Sequence, residues 1–230
     1  MLRRRPVHGT IMPVRAHRLS TWQLVVPVKS RYAAKSRLAP PDGVSRSDLA
    51  LAFARDTLTA IAEVISSDRL IVVTSDDQIA AQLRVGGAQV VDDPGRGLNP
   101  AVEAGISAAR DRDSGAPVGI LLGDLPALTP GDLRTALAAC AATESAVVPD
   151  QSGAGTVLLT HQDAALLAPR FGHGSAVRHG QTARRLDLDL PRLRTDVDDL
   201  ESLRLAAVLG LGRHTSAVLQ NSDLDLGELA

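Results

Sequence analysis

Pro117–Pro126, PVGILLGDLP, is the stretch on which the fold turns. Val118 to Leu122 is a short apolar run broken only by Gly119, and a run without polar alternation suits a strand covered on both faces. It stops abruptly at Gly123, Asp124 and Pro126, so a carboxylate stands just beyond a buried strand. In open α/β sheets ligands bind in the crevice outside the carboxyl ends of the strands, which makes Asp124 a candidate for holding a metal ion or a polar substrate. The competing reading is a turn-forming aspartate, with Thr129 and Pro130 starting the next helix.

Working outward, apolar runs at Leu24 to Val28, Leu70 to Thr74, Gln89 to Val91, Ala146 to Pro149, Thr156 to Thr160 and Leu193 to Val197 read as further strands. Helical stretches separate most of them: from Ser45 or Ser47 to about Ile65, from Asp76 or Asp77 to near Gly86, from Ala101 to about Arg110, and from Pro130 to about Ala142. The alternation predicts an α/β domain with a mostly parallel sheet in three layers. DQSGAG, Asp150 to Gly155, reads as a turn between two strands.

The chain has 230 residues, 44% hydrophobic and 22% charged, which is a globular composition with enough length for one substantial core. Aromatics make up 2%, so the stacking surfaces of single-strand nucleic-acid binders are nearly absent, and a net charge of -1 offers no field for a polyanion or a membrane. A single cysteine, Cys140, excludes internal disulfides. No apolar run approaches the roughly 20 residues that span a bilayer, and a cytoplasmic location is expected. Residues 1–21 form a basic arm without an acid, expected to be disordered; 22–219 form one domain; 220–230 form a loose acidic tail.

Four loops carry the candidate chemistry. The two lysines of the chain, Lys29 and Lys35, lie six positions apart after the first strand, together with Arg31 and Arg37. Compact ammonium groups clustered in this way suit phosphate oxygens; a solvated basic loop is the alternative. DDPGRGLNP, Asp92 to Pro100, is a glycine-rich loop in which Asn99 before Pro100 is expected to cap the following helix. In PRFGHGSAVRHG, Pro169 to Gly180, Gly172 and Gly174 lead to a helix start at Ser175, where backbone N–H groups would face an anion. RTDVDDLESL, Arg194 to Leu203, crowds Asp196, Asp198 and Asp199 after the expected last strand; Asp198 most simply caps the next helix, leaving another carboxylate for function.

Carboxylates at strand ends, lysines and a helix start are the parts needed to hold phosphates around a divalent cation. GxxxxGK[ST], GxGxxG after the first strand and GxSxG are all missing, which disfavours P-loop NTPases, Rossmann dehydrogenases and α/β-hydrolases.

VVPVKSRYAAKSRLA, Val25 to Ala39, followed by GLNPAVEAG, LLGDLPALTP, GAGT, FGHGSA and DVDDLESL, resembles the guanylyltransferases of coenzyme F(420) biosynthesis, which act on 2-phospho-L-lactate or phosphoenolpyruvate. The resemblance spans roughly Leu24 to Leu211. It implies a GT-A-like, Rossmann-related nucleotidyltransferase in which the phosphate of the acceptor attacks the α-phosphorus of GTP and pyrophosphate leaves. It further implies that Asp124 and Asp196, with Asp198 as a third partner, hold Mg²⁺. Thr156, Gly172 and Ser175 would bind phosphoenolpyruvate, Lys29, Lys35 and Arg37 would face the GTP phosphates, and the loop through Leu98 and Asn99 would approach the nucleotide. Lys29, Lys35 and Asp124 are the expected catalytic groups. An arginine-rich composition tilts the acceptor toward phosphoenolpyruvate over 2-phospholactate. Other readings are a molybdenum-cofactor guanylyltransferase or cytidylyltransferase of similar architecture, and a non-catalytic nucleotide-binding domain; neither nucleic acid nor membrane is an expected partner, and a homodimer is left open by the sequence.

Overall fold

The computed structural model describes residues 21–29 and 38–220. Residues 1–20 of the basic arm, the acidic tail from residue 221, and Arg31, Lys35 and Arg37 lie outside the described residues. Seven strands form one sheet in the order β3-β2-β1-β4-β6-β5-β7: β1 (Gln23–Pro27), β2 (Leu70–Thr74), β3 (Gln89–Asp92), β4 (Val118–Leu121), β5 (Ser145–Pro149), β6 (Thr156–His161) and β7 (Arg184–Arg185). Among these, β6 alone runs against the others, pairing antiparallel with β4 and β5.

β1 is central because every one of its residues is buried. Its side chains alternate between two cores, as the pleat requires. Leu24 and Val26 join a cluster with Leu58 and Ile61 of α1 (Arg46–Ala62) and Leu133 and Leu137 of α4 (Pro130–Cys140). Val25 faces the opposite layer, where Val102, Ile106 and Ala109 of α3 (Leu98–Arg112) lie. Gly105 lets α3 approach, since a Cβ there would run into Val25. α2 (Asp77–Val85) is capped by Asp76, whose carboxylate accepts from the N–H groups of Gln78 and Ile79, as its position in the sequence suggested.

The chain winds β1, β2, β3 toward one edge and then returns to place β4 on the other side of β1. This reversal opens the crevice between the ends of β1 and β4.

Several expectations are corrected. Leu193 to Val197 is no strand: Pro191–Arg194 is a single helical turn, α6, with Pro191 at its first position, and Val197 gives its N–H to the Asp124 carbonyl instead of a ladder (3.1 Å). The helix after it, α7 (Leu200–Leu209), is capped by Asp199, not Asp198, in a reciprocal box with Ser202. α3 starts at Leu98, three residues before the expected Ala101, and Asn99 lies within its first turn. Ser45 occupies the cap position of α1, yet its hydroxyl pairs with that of Ser47. A closing helix, α8 (Arg213–Leu219), lies against α1 and gives no strong sequence signal.

Candidate active site

Asp124 sits where β4 ends, half-buried, with its Oδ1 shielded from solvent. Its loop is pinned residue by residue. Asp124 O accepts from Val197 N–H (3.1 Å), Leu125 N–H donates to the buried Thr57 hydroxyl of α1 (3.0 Å), and Pro126 O accepts from Gly212 N–H (2.8 Å). Three distant segments therefore hold three consecutive residues, Asp124 to Pro126, the kind of over-determination that keeps a charged group in place. Gly123 is required by space: a Cβ there would stand 2.9 Å from the Pro27 carbonyl oxygen and 2.9 Å from Val28 Cγ2.

The bond from Val197 also brings in the second acidic segment. Val197 is fully buried with Leu38, Phe53 and Leu203, whereas Asp196 is half-buried and Asp198 exposed on either side of it. Asp124, Asp196, Asp198 and Lys29 line one cavity of about 200 Å³. Among the described residues no three His, Cys, Asp or Glu side chains converge into a ready-made metal cluster. The oxygen-only donor set fits a hard cation held through one or two carboxylates with water and substrate phosphate completing its shell.

Lys29, Leu98, Leu122, Asp196 and Asp198 also border a second, larger cavity of about 590 Å³, whose far wall holds Thr156, Gly172 and Ser175. Thr156 reaches this edge because β6 is reversed. Its register, Leu121 opposite Leu158, carries the start of β6 beyond the end of β4. The turn Asp150 to Gly155 is fixed by the Asp150 carboxylate, which accepts from the N–H groups of Ala154 (3.1 Å) and Gly155 (2.9 Å), and by Arg194, whose guanidinium donates to the carbonyls of Pro149 and Asp150.

The helix start at Ser175 differs from expectation. α5 (Ser175–His179) has five residues, and its first two N–H groups are already bonded, Ser175 to Gly172 O (3.0 Å) and Ala176 to Ala154 O (3.0 Å). The Ser175 side chain, not these amides, is what the helix start contributes, and it does so through Thr156. Ser175 Oγ donates to Thr156 Oγ1 (3.1 Å), and His179 Nδ1 lies 2.9 Å from the same oxygen. Burial, together with the charges of Arg178 and Arg170, pushes the His179 pKa down to about 4, so the ring is neutral at pH 7.

A third cavity, about 220 Å³, lies between Val28, Lys29, Ser75, Asp93, Gly97 and Leu98. Leu98 thus borders all three cavities. Asn99 is not the cap expected of it, that position being held by Gly97; its amide clasps Phe171, accepting from the backbone N–H (2.7 Å) and donating to the carbonyl (3.2 Å). It fixes the loop Pro169 to Gly174 against α3.

Thr57, Val197 and His179 escaped the sequence reading. Only His179 left a signal there, four residues after Ser175 and so on the same helical face. Cys140 is buried with its thiol pushed up to about 11, outside this chemistry.

A family model described as "Guanylyl transferase CofC like" matches residues 22–226. A phosphoenolpyruvate guanylyltransferase of Thermomonospora curvata is 44% identical over 201 residues, covering 86% of this chain and 88% of that protein. Among solved structures, a nucleotide-diphospho-sugar transferase from Desulfovibrio desulfuricans G20 superposes with a TM-score of 0.59 at 17% identity, covering 89% of this chain and 92% of the other. A Mycobacterium tuberculosis H37Rv protein solved in complex with manganese gives a TM-score of 0.50 at 22% identity over 80% of this chain and 97% of its own. At these identities the two structures establish the fold alone, a mostly parallel α/β sheet.

Proposed function

We propose guanylyl transfer to phosphoenolpyruvate as the activity of this chain, which belongs to the CofC-like guanylyl transferase family. A phosphate oxygen of phosphoenolpyruvate attacks the α-phosphorus of GTP, the bond to the bridging oxygen of the β-phosphate breaks, and pyrophosphate leaves. The product is enolpyruvoyl-diphospho-guanosine. The observation that carries this reading is the shared wall between two cavities: Lys29, Leu98, Leu122, Asp196 and Asp198 border both the hydroxyl-lined cavity and the acidic one. An acceptor phosphate in the first is thereby next to a triphosphate held at the second.

Thr156 and Gly172 meet the acceptor directly, and Ser175, whose hydroxyl proton goes to Thr156, holds it through that hydroxyl. Lys29 faces the triphosphate and offsets charge building on the leaving pyrophosphate; Lys35 and Arg37, on the same loop in sequence, share that role. Asp124 and Asp196, with Asp198 at the rim, hold a divalent cation, for which Mg²⁺ is the proposed identity. When bound, that ion neutralises phosphate charge and aligns the oxygens of attack and departure. A phosphate monoester is already a nucleophile, so the reaction needs no general base and depends on positioning.

Pyrophosphate release from GTP, tested with phosphoenolpyruvate, 2-phospholactate and molybdopterin as acceptors and with the other NTPs as donors, checks the assignment, with the product identified by mass. GTP with phosphoenolpyruvate is the pair expected to turn over. Asp124→Ala is expected to lower turnover on the order of 10²-fold while leaving the fold intact. Near-wild-type pyrophosphate release by that variant overturns the role given to Asp124, and absence of a guanylylated phosphoenolpyruvate overturns the reading as a whole.

A further inference from the structure

We infer that His179 is a positioning residue that sets the hydrogen-bond polarity of Thr156, turning its hydroxyl into an obligatory donor toward the anionic acceptor. The inference rests on the proposed function for the identity of that acceptor and on the geometry alone for the polarity. The Arg170 backbone N–H points at His179 Nε2 (2.8 Å). A backbone amide can only donate, so Nε2 is the bare nitrogen of a neutral ring and Nδ1 carries the proton. Nδ1–H therefore donates to Thr156 Oγ1, 2.9 Å away.

Ser175 Oγ–H donates to the same oxygen (3.1 Å). A threonine hydroxyl has two acceptor sites and one proton. With both acceptor sites filled, Thr156 keeps only its proton to offer, and it borders the cavity assigned to the acceptor. The opposite tautomer would reverse the sign: a bare Nδ1 would take the Thr156 proton and leave a lone pair facing a phosphate. The assembly is rigid, since His179, Ser175 and Thr156 are all buried, the imidazole meets the Phe171 ring edge-on at 5.0 Å, and Ser175 and His179 lie one turn apart on α5. The neutrality of the ring, already traced to its burial and to Arg178 and Arg170, agrees with this tautomer.

Two measurements decide the matter. In the full-length protein labelled with ¹⁵N-histidine, the His179 ring is expected to show a protonated Nδ1 and a bare Nε2 at pH 7; a protonated Nε2 overturns the inference whatever the enzyme's substrate. Steady-state kinetics of two amide variants form the second arm. The amide nitrogen of His179→Asn replaces the Nδ1 donor to Thr156, whereas His179→Gln replaces the Nε2 acceptor and loses that donor. His179→Gln is expected to raise KM for phosphoenolpyruvate about tenfold with kcat and KM for GTP little changed, and His179→Asn to recover most of that loss. Equal effects of the two variants, or losses spread over both substrates, overturn the positioning role. Failure of the unaltered protein to use phosphoenolpyruvate at all would count against the proposed function and leave the tautomer measurement to judge this inference.

Discussion

Gly123→Ala tests how closely the catalytic geometry depends on the approach of two strand ends. The added Cβ would meet the Pro27 carbonyl oxygen and Val28 Cγ2, each at 2.9 Å. Ordinary contact requires a retreat of about 0.5 Å or more. Pro27 cannot yield by a side-chain rotation, because the obstructing atom is backbone at the end of the buried central strand, paired to Val73. The ends of β1 and β4 must part, moving Asp124 relative to Lys29. Overpacking of this kind costs about 1–3 kcal/mol, or a Tm drop of roughly 3–10 °C for a chain of this size. A displacement approaching 1 Å in a reacting constellation can cost up to about 10²-fold, so a loss of about 10- to 100-fold in kcat/KM is expected. Gly119→Ala is the control on the same strand. Its Cβ would press on Leu24 Cδ2 at 2.9 Å and Thr160 Cγ2 at 3.4 Å, side-chain ends that can shift without moving the crevice. Thermal unfolding by circular dichroism and pyrophosphate release, run on both variants, give the comparison. Gly119→Ala should lose stability and keep its turnover. Wild-type kcat/KM in Gly123→Ala, or equal kinetic losses in both variants, would refute the reasoning.

Two other outcomes follow from the same contacts. The buried Asp56 carboxylate of α1 accepts from the N–H groups of His214 (2.9 Å) and Thr215 (2.8 Å) at the start of α8, so Asp56→Ala should cost about 2–4 kcal/mol, read as a lower urea midpoint at an unchanged m-value; a loss below about 0.5 kcal/mol would contradict the capping role. His179 contributes a pH dependence: its pKa falls from 6.5 to about 4 on folding, so between those values the unfolded chain binds more protons and stability declines as pH falls. Allowing for screening by the neighbouring cavity, the decline from pH 7 to pH 4 is on the order of 1–2 kcal/mol, and His179→Gln should remove it; an unchanged pH profile in that variant would refute the assignment.

The features legible in the sequence are those that depend on neighbours along the chain. Apolar runs at β1, β2 and β4, the Asp76 and Thr129 caps, and Pro130 at the first position of α4 all follow from local rules, and all stand in the structure. Asp124 at a strand end belongs to the same class, because an abrupt end to a buried run needs no knowledge of the partner strands. Leu193 to Val197 shows where local reasoning fails. Its apolar residues are buried, as a strand's would be, but Val197 meets a loop carbonyl and the cluster around Phe53 while Leu193 joins the core with Leu133 and Leu137, and no pattern in the segment encodes that difference.

For the site, the short stretches Val118 to Asp124 and Arg194 to Leu203 named the carboxylates without showing that they meet. Their meeting depends on the Val197 N–H to Asp124 carbonyl bond across a separation of more than 70 residues, and on the packing of α7 and α8 that keeps Val197 buried. The reversal of β6 likewise moves Thr156 to the edge where β4 ends, and strand direction is decided by which edges are left to pair. The sequence alone determined the strand beyond whose end Asp124 stands and the residue types that line the candidate site. The tertiary structure alone decided that Asp124, Asp196, Lys29 and Thr156 share adjoining cavities and that His179 stands behind Thr156, because those relations are made by hydrogen bonds and burial between segments far apart in the chain.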